Sequence, residues 1–323
     1  MAARKVSRRG RSAAAEPQLS EPGHRSTPPD DFGRIVRYRS QDGLSLAARV
    51  FAVPGSNRAP LLCLPGLSRN SRDFIALGRY LSGHASEART VVALDYRGRG
   101  LSDSDANWRN YRPIVEAQDT LTACVVLGIE QAILVGTSRG GIITMLIGAL
   151  RPALLAGIVL NDIGPIVEGT GLARIKNYLT ARRLARSWDE AIAMLRHVNE
   201  GQFPDLAPED WRYLAEAYFA ETPGGLAPQF DPNLVRAIED ADFSERIPPL
   251  WPQFHALRRV RVLAIRGEFS DILSQRTLAL MADCHPQFEQ LTVRGQGHAP
   301  LLRDHETMAR IAAFAKRCDR SQA

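Results

Sequence analysis

The chain has 323 residues, 45% of them hydrophobic and 24% charged, an ordinary globular composition with length for one large or two modest domains. Its formal charge of +6 is uneven: Arg4, Lys5, Arg8, Arg9 and Arg11 stand among the first fifteen residues with no acid, which leaves the rest at +1. A body that close to neutral argues against a nucleic-acid binder, despite the high overall pI.

Residues 1–31 are rich in Arg, Ser, Ala and Pro without an apolar period, and read as a disordered basic tail. The segment Ala13 to Pro29 lacks the apolar stretch of a secretory signal, which also argues against reading Arg8-Arg9 as a twin-arginine signal. Strand patterns follow at Ile35–Arg39 and Leu44–Val53, joined around Asp42-Gly43. Six short apolar runs come next: Leu61–Leu64, Val91–Leu94, Ala132–Val135, Gly157–Leu160, Val260–Ile265 and Phe288–Val293. Their continuous apolar character fits strands covered on both faces. Helical patterns alternate with them at Phe74–Leu81, Ile114–Leu127, Gly141–Leu150, Ser274–Met281 and Glu306–Lys316. The alternation predicts an α/β fold: a mostly parallel sheet with helices on both faces.

One interval interrupts this rhythm. Between Leu160 and Val260 the patterns are helical, at Gly171–Arg186, Asp189–Asn199, Glu209–Ala220 and Asn233–Asp240, with no convincing strand. A structureless loop of that length is improbable, so residues 165–250 read as a helical cap inserted into a core of residues 32–164 and 251–318, with 319–323 as a C-terminal tail. Leu172, Ile175, Tyr178 and Leu179 recur at helical spacing, as do Trp211, Leu214, Tyr218 and Phe219. Most of them should pack within the cap, and some should face a substrate.

No apolar run approaches the roughly 20 residues of a membrane span. Cys63, Cys124, Cys284 and Cys318 are scattered, with no CxxC or Cys/His metal spacing, so they read as reduced thiols of a cytoplasmic protein without a metal site. No Walker loop occurs, and Gly136-Thr137-Ser138-Arg139-Gly140-Gly141 lacks the G-x-G-x-x-G spacing of dinucleotide binding. No cofactor is implied.

Gly136-Thr137-Ser138-Arg139-Gly140 does match G-x-S-x-G, and it lies between a predicted strand and a predicted helix. That context makes it a nucleophile elbow, a tight turn that raises the serine hydroxyl above the sheet. A serine needs an adjacent base. Among seven histidines only His298, in Gly295-Gln296-Gly297-His298, sits on a glycine-rich loop after the last strand.

With these motifs in order, the chain resembles the α/β-hydrolase fold superfamily, in its cap-bearing serine esterase-like branch. Leu64-Pro65-Gly66-Leu67 looks like that family's oxyanion loop, although relatives often carry His-Gly where this chain has Pro65-Gly66. Asp95-Tyr96-Arg97-Gly98-Arg99-Gly100-Leu101-Ser102 is similar to its D-x-R-G-x-G-x-S segment. The resemblance implies an eight-stranded sheet and a Ser-His-Asp triad of Ser138, His298 and an aspartate. Asp271, in Gly267-Glu268-Phe269-Ser270-Asp271, is the favoured acid because its setting looks like the family's usual acid loop. Asp162, at the preceding strand end, is the alternative acid, and Glu268 a weaker third; Ser…Asp…His order suits either aspartate. Backbone N–H groups of Leu67 and Arg139 would form the oxyanion hole. The arginines at 69, 97, 99 and 139 suggest either an anion-recognising pocket or, more simply, ties between loops.

The expected reaction is hydrolysis of a small carboxylic ester, lactone or thioester through an acyl-enzyme. The expected partner is a small ester-like molecule, with no specific nucleic acid. Alternatives are C–C bond hydrolysis of a β-diketone-like substrate and a non-catalytic ligand-binding member of the fold. Epoxide hydrolysis and dehalogenation are excluded: a serine would form an ether that water does not readily cleave.

Overall fold

The computed structural model describes residues 32–84, 87–180, 184–199, 201–239 and 248–320. The tail read at 1–31 lies outside the described residues. A hairpin opens the fold, β1 (Arg34–Arg39) with β2 (Ser45–Phe51), turning at Asp42-Gly43. There follow β3 (Leu61–Leu64), α1 (Ile75–Ser82), β4 (Val91–Asp95), α2 (Pro113–Val126), β5 (Ala132–Thr137), α3 (Arg139–Leu150) and β6 (Leu155–Asn161). The insertion carries α4 (Gly169–Thr180), α5 (Trp188–Val198), α6 (Pro208–Tyr218), β7 (Phe219–Thr222), β8 (Gly225–Pro228) and α7 (Asn233–Glu239). The chain then closes with α8 (Trp251–Ala256), β9 (Val262–Gly267), α9 (Gln275–Cys284), β10 (Phe288–Val293) and α10 (His305–Arg320).

Eight strands form one sheet in the order β1-β2-β4-β3-β5-β6-β9-β10. Only β1–β2 and β2–β4 pair antiparallel; the other neighbours are parallel. This is the α/β-hydrolase fold expected from the sequence. Alternation along each central strand divides the core. Leu62, Leu64 and Leu134 join the apolar layer that includes α2, α3, α8 and α9. Leu61, Cys63, Ile133 and Val135 meet α1 and α10 on the opposite face. The four cysteines are unpaired, and burial raises the thiols of Cys124 and Cys318 to about 11 and about 12. Among the described residues no helix is long and apolar enough to cross a membrane.

Two elements differ from the sequence reading. The insertion contains the short hairpin β7–β8, where no strand is legible because Pro223-Gly224-Gly225 dominates the segment. Helix α8 is too short to establish a period; it is fixed by burial of the following Leu257 against α3 and of Phe254 against His285 and Phe288.

Strand order reverses between β3 and β5, which are neighbours although β4 separates them in sequence. Loops leaving the carboxyl ends of strands diverge at such a point and leave a crevice. The β3 loop and the elbow after β5 therefore meet there. Their approach depends on Gly140, where a Cβ would collide with the Leu64 carbonyl and crowd the Pro65 carbonyl. Both are backbone atoms that cannot swing aside. Gly140→Ala is expected to destabilise the protein by about 2–3 kcal/mol or to prevent folding. Urea denaturation checks this; an unchanged midpoint would contradict the packing.

Candidate active site

Ser138 lies between β5 and α3 with φ 52° and ψ −115°, a left-handed conformation uncommon outside glycine. Its N–H donates to the Asn161 carbonyl at 2.9 Å, which ties the elbow to the end of β6. The Ser138 Oγ stands 2.8 Å from His298 Nε2. His298 is carried by the loop after β10, and its backbone N–H donates to Gln202 Oε1 of the insertion at 3.0 Å. That loop folds tightly over the end of β9: a side chain at Gly267 would run into the Gly297 carbonyl.

On the far side of the imidazole, Nδ1 lies 2.8 Å from Asp162 Oδ2. Asp162 is fully buried, and its carboxylate also accepts from Ser270 Oγ at 2.6 Å and from the Gly267 N–H at 2.8 Å. Three donors thus fix its plane and leave one oxygen aimed at the ring. Like Ser138, it adopts a left-handed backbone, with φ 57°, one of the few non-glycine conformations that aspartate tolerates. The turn aims the side chain back across the strand ends.

Asp271, the favoured acid, is engaged elsewhere. Its carboxylate forms a bidentate ion pair with Arg174 of α4, at 2.7 Å to Nε and 3.1 Å to Nη2. It is Asp162, the alternative, that reaches His298. The Gly-x-x-Ser-Asp loop still serves the site, but through Ser270, the residue before the favoured one. Glu268 accepts from the Gly295 N–H at 2.9 Å and so braces the histidine loop.

Gly66 and Leu67 line the same cavity as Ser138, and a Cβ built on Gly66 would lie 3.9 Å from the serine Cβ. Arg139 is the first residue of α3. The four arginines resolve as ties. Arg69 pairs with Asp73, and Arg97 with Asp42, Asp105 and Asp119. Arg99 and Arg139 share Glu116. Burial opposes the charge on Glu116, but the two guanidinium groups outweigh it and hold the carboxyl below the ordinary glutamate range. Glu116 and Gln202 carry no signal in the sequence: each lies in a segment patterned only as helix or linker, and nothing local marks its long-range partner.

The cavity above Ser138, about 150 Å³, is roofed by the insertion through Ile175, Leu195, Phe203, Tyr213 and Leu214. Among the described side chains of the two helical stripes in the insertion, Ile175 and Leu214 reach this cavity, while Leu179, Trp211, Tyr218 and Phe219 are buried in the insertion's own core; the side chain of Tyr178 lies outside the described residues. Among the described residues no group of three or more His, Cys, Asp or Glu side chains stands together as metal ligands.

Residues 61–311 match the model of the alpha/beta hydrolase family. The chain is 30% identical over 268 residues to a 3-hydroxybutyrate-oligomer hydrolase of Cupriavidus necator, covering 80% of this chain and 89% of that protein. It is 28% identical over 240 residues to a 2-(acetamidomethylene)succinate hydrolase of Mesorhizobium japonicum, covering 74% and 81%. Among solved structures, it is similar to an alpha/beta hydrolase from Novosphingobium aromaticivorans at 36% identity and a TM-score of 0.81, with 88% of this chain and 98% of that one covered.

Proposed function

The chain belongs to the alpha/beta hydrolase family, and on that footing we propose that it is a serine hydrolase of small carboxylic esters, with Ser138, His298 and Asp162 as its triad. The observation that carries this reading is the unbroken hydrogen-bonded series from Ser138 Oγ through both ring nitrogens of His298 to Asp162. Neutral His298, with its proton on Nδ1 facing Asp162, presents the Nε2 lone pair to the serine hydroxyl. Ser138 attacks the ester carbonyl as Nε2 takes its proton, and Asp162 stabilises the imidazolium that forms. The oxyanion of the tetrahedral intermediate receives N–H donors from Leu67 and Arg139. Nε2–H then protonates the departing alcohol. Water, deprotonated by the same nitrogen, attacks the acyl-enzyme and releases the acid.

The substrate class we favour is an ester with a short acyl group, hydroxyacid oligoesters included. A 3-hydroxybutyrate-oligomer hydrolase is among its relatives. The cavity is small and mixes apolar walls with polar and charged side chains, among them Asn199, Tyr213, Arg69 and Arg174, whereas ligand pockets for drug-sized molecules run from about 300 Å³ upwards. Lactones and thioesters require the same machinery and belong in the same panel.

The test is labelling with a fluorophosphonate probe, then turnover of p-nitrophenyl esters from two to eight acyl carbons and of 3-hydroxybutyrate oligomers. Ser138 should be the labelled residue, and turnover should fall as the acyl chain lengthens. An unmodified Ser138 in folded protein, beside a control esterase that reacts, would defeat the reading. Removal of residues 1–30 should leave kcat/KM for a small ester within about two-fold, since the hydrogen bonds that join the proposed triad run between residues 138, 162 and 298. A large loss would assign the basic segment a part in catalysis.

A further inference from the structure

Glu116 lies in the first turn of α2, fully buried, and none of its atoms belongs to the triad. A buried carboxylate has to be compensated, and the identity of its partners is informative. Oε2 accepts from Arg139 Nε at 2.6 Å. Oε1 forms an ion pair with Arg99 Nη1 at 2.8 Å. Arg139 is the residue directly after the nucleophile, and its Nη2 also donates to the Tyr111 carbonyl at 2.9 Å. Arg99, fully buried, donates through Nε to the Leu67 carbonyl at 2.9 Å and through Nη1 to the Arg97 carbonyl at 2.7 Å. Its guanidinium lies over the Tyr111 ring, 5.3 Å from the centroid.

The two arms of this ion triad therefore end on the two loops that frame the space above Ser138. One arm grips the side chain of the residue whose N–H opens α3. The other grips the carbonyl of Leu67, on the loop after β3. The β3–β5 pairing and the contact at Gly140 bring these loops together, but they touch only Leu64, Pro65 and Gly140 and leave the orientation of the Leu67 and Arg139 amides to the side-chain ties. We infer that Glu116 is a positioning residue that fixes the Leu67 and Arg139 backbone amides relative to one another, so that both donors converge on a single oxyanion. This deepens the serine-hydrolase reading and its catalytic consequence rests on it. A neutral isostere would keep the shape of the site while leaving two guanidinium groups without their shared anion, and a shift of about 1 Å in a group that positions the reaction costs on the order of 10²-fold in rate.

The experiment compares wild type with Glu116→Gln and, because a buried substitution can prevent folding, with Arg139→Met, which cuts one arm and leaves Glu116 paired to Arg99. Two readouts are taken on each folded variant. Amide hydrogen exchange on the resting protein should rise in peptides covering 64–69 and 138–142 while peptides covering β6 and β9 keep wild-type protection. Steady-state hydrolysis of p-nitrophenyl acetate, normalised to active sites titrated with fluorophosphonate, should show kcat lowered about 10- to 100-fold with KM within two-fold, the sign of support given in the transition state. The double variant should be no worse than Glu116→Gln, since both act through one clamp. Exchange unchanged in both peptides, or kcat within two-fold of wild type in either variant, would overturn the clamp. Exchange is read without substrate, so it answers whether or not an ester is turned over; a wild-type protein inert to the fluorophosphonate would instead remove the serine-hydrolase reading.

Discussion

Ser138→Ala is expected to abolish ester turnover, lowering kcat by roughly 10⁴- to 10⁶-fold, with the urea midpoint unchanged. The substitution keeps the Cβ and so the left-handed elbow geometry, and deletes only the hydroxyl 2.8 Å from His298 Nε2. What survives is whatever His298 and the backbone donors accomplish with a water in place of the serine, which in serine hydrolases is a small remainder. The variant should also fail to react with a fluorophosphonate while still binding a short-chain product acid. Turnover within ten-fold of wild type would mean that another group attacks the substrate, and the elbow would then be a turn without chemistry.

How much of this was legible in the chain depended on how local each signal is. The buried parallel strands announce themselves because a strand covered on both faces is apolar throughout, and the elbow because its glycines stand where backbones nearly touch. The histidine follows from the same logic, since Gly297 lies against the end of β9. The choice between Asp162 and Asp271 is different in kind. Both follow a sheet strand, and both precede His298. What separates them is the direction of a side chain at a turn, which is set by φ of 57° at Asp162 and by the competing Arg174 on the insertion. Neither is encoded within the few residues around the aspartate. Glu116 was hidden for the same reason: its partners, Arg99 and Arg139, are distant in sequence and converge only once β4 and β5 have folded past one another. Helical pattern alone says only that position 116 lies near the start of a helix.

The proposal of Asp162 as the acid leads to the second large effect, a contrast between two conservative changes. Asp162→Asn is expected to lower kcat about 10⁴-fold. Asparagine can still accept from the Gly267 N–H through its carbonyl oxygen, so the side chain should stay in place. Its NH2 group then faces His298 Nδ1 where a carboxylate oxygen stood. Two donors cannot share that contact, so the neutral ring is driven to carry its proton on Nε2, aimed at the serine instead of away from it. The base is thereby lost even though every heavy atom remains near its position, and no anion is left to stabilise an imidazolium. Asp271→Asn removes the charge from the Arg174 pair, which is part-exposed and outside the hydrogen-bonded series. It should leave kcat for p-nitrophenyl acetate within about three-fold, with at most about 1 kcal/mol lost in urea denaturation. A proton resonance from the His298 Nδ1–H bond gives an independent check: present in wild type and Asp271→Asn, absent in Asp162→Asn. If Asp271→Asn proved the crippled variant and Asp162→Asn retained activity, the carboxylate nearest the histidine would be structural, and the working site would have to rearrange so that Asp271 leaves Arg174 before the serine attacks.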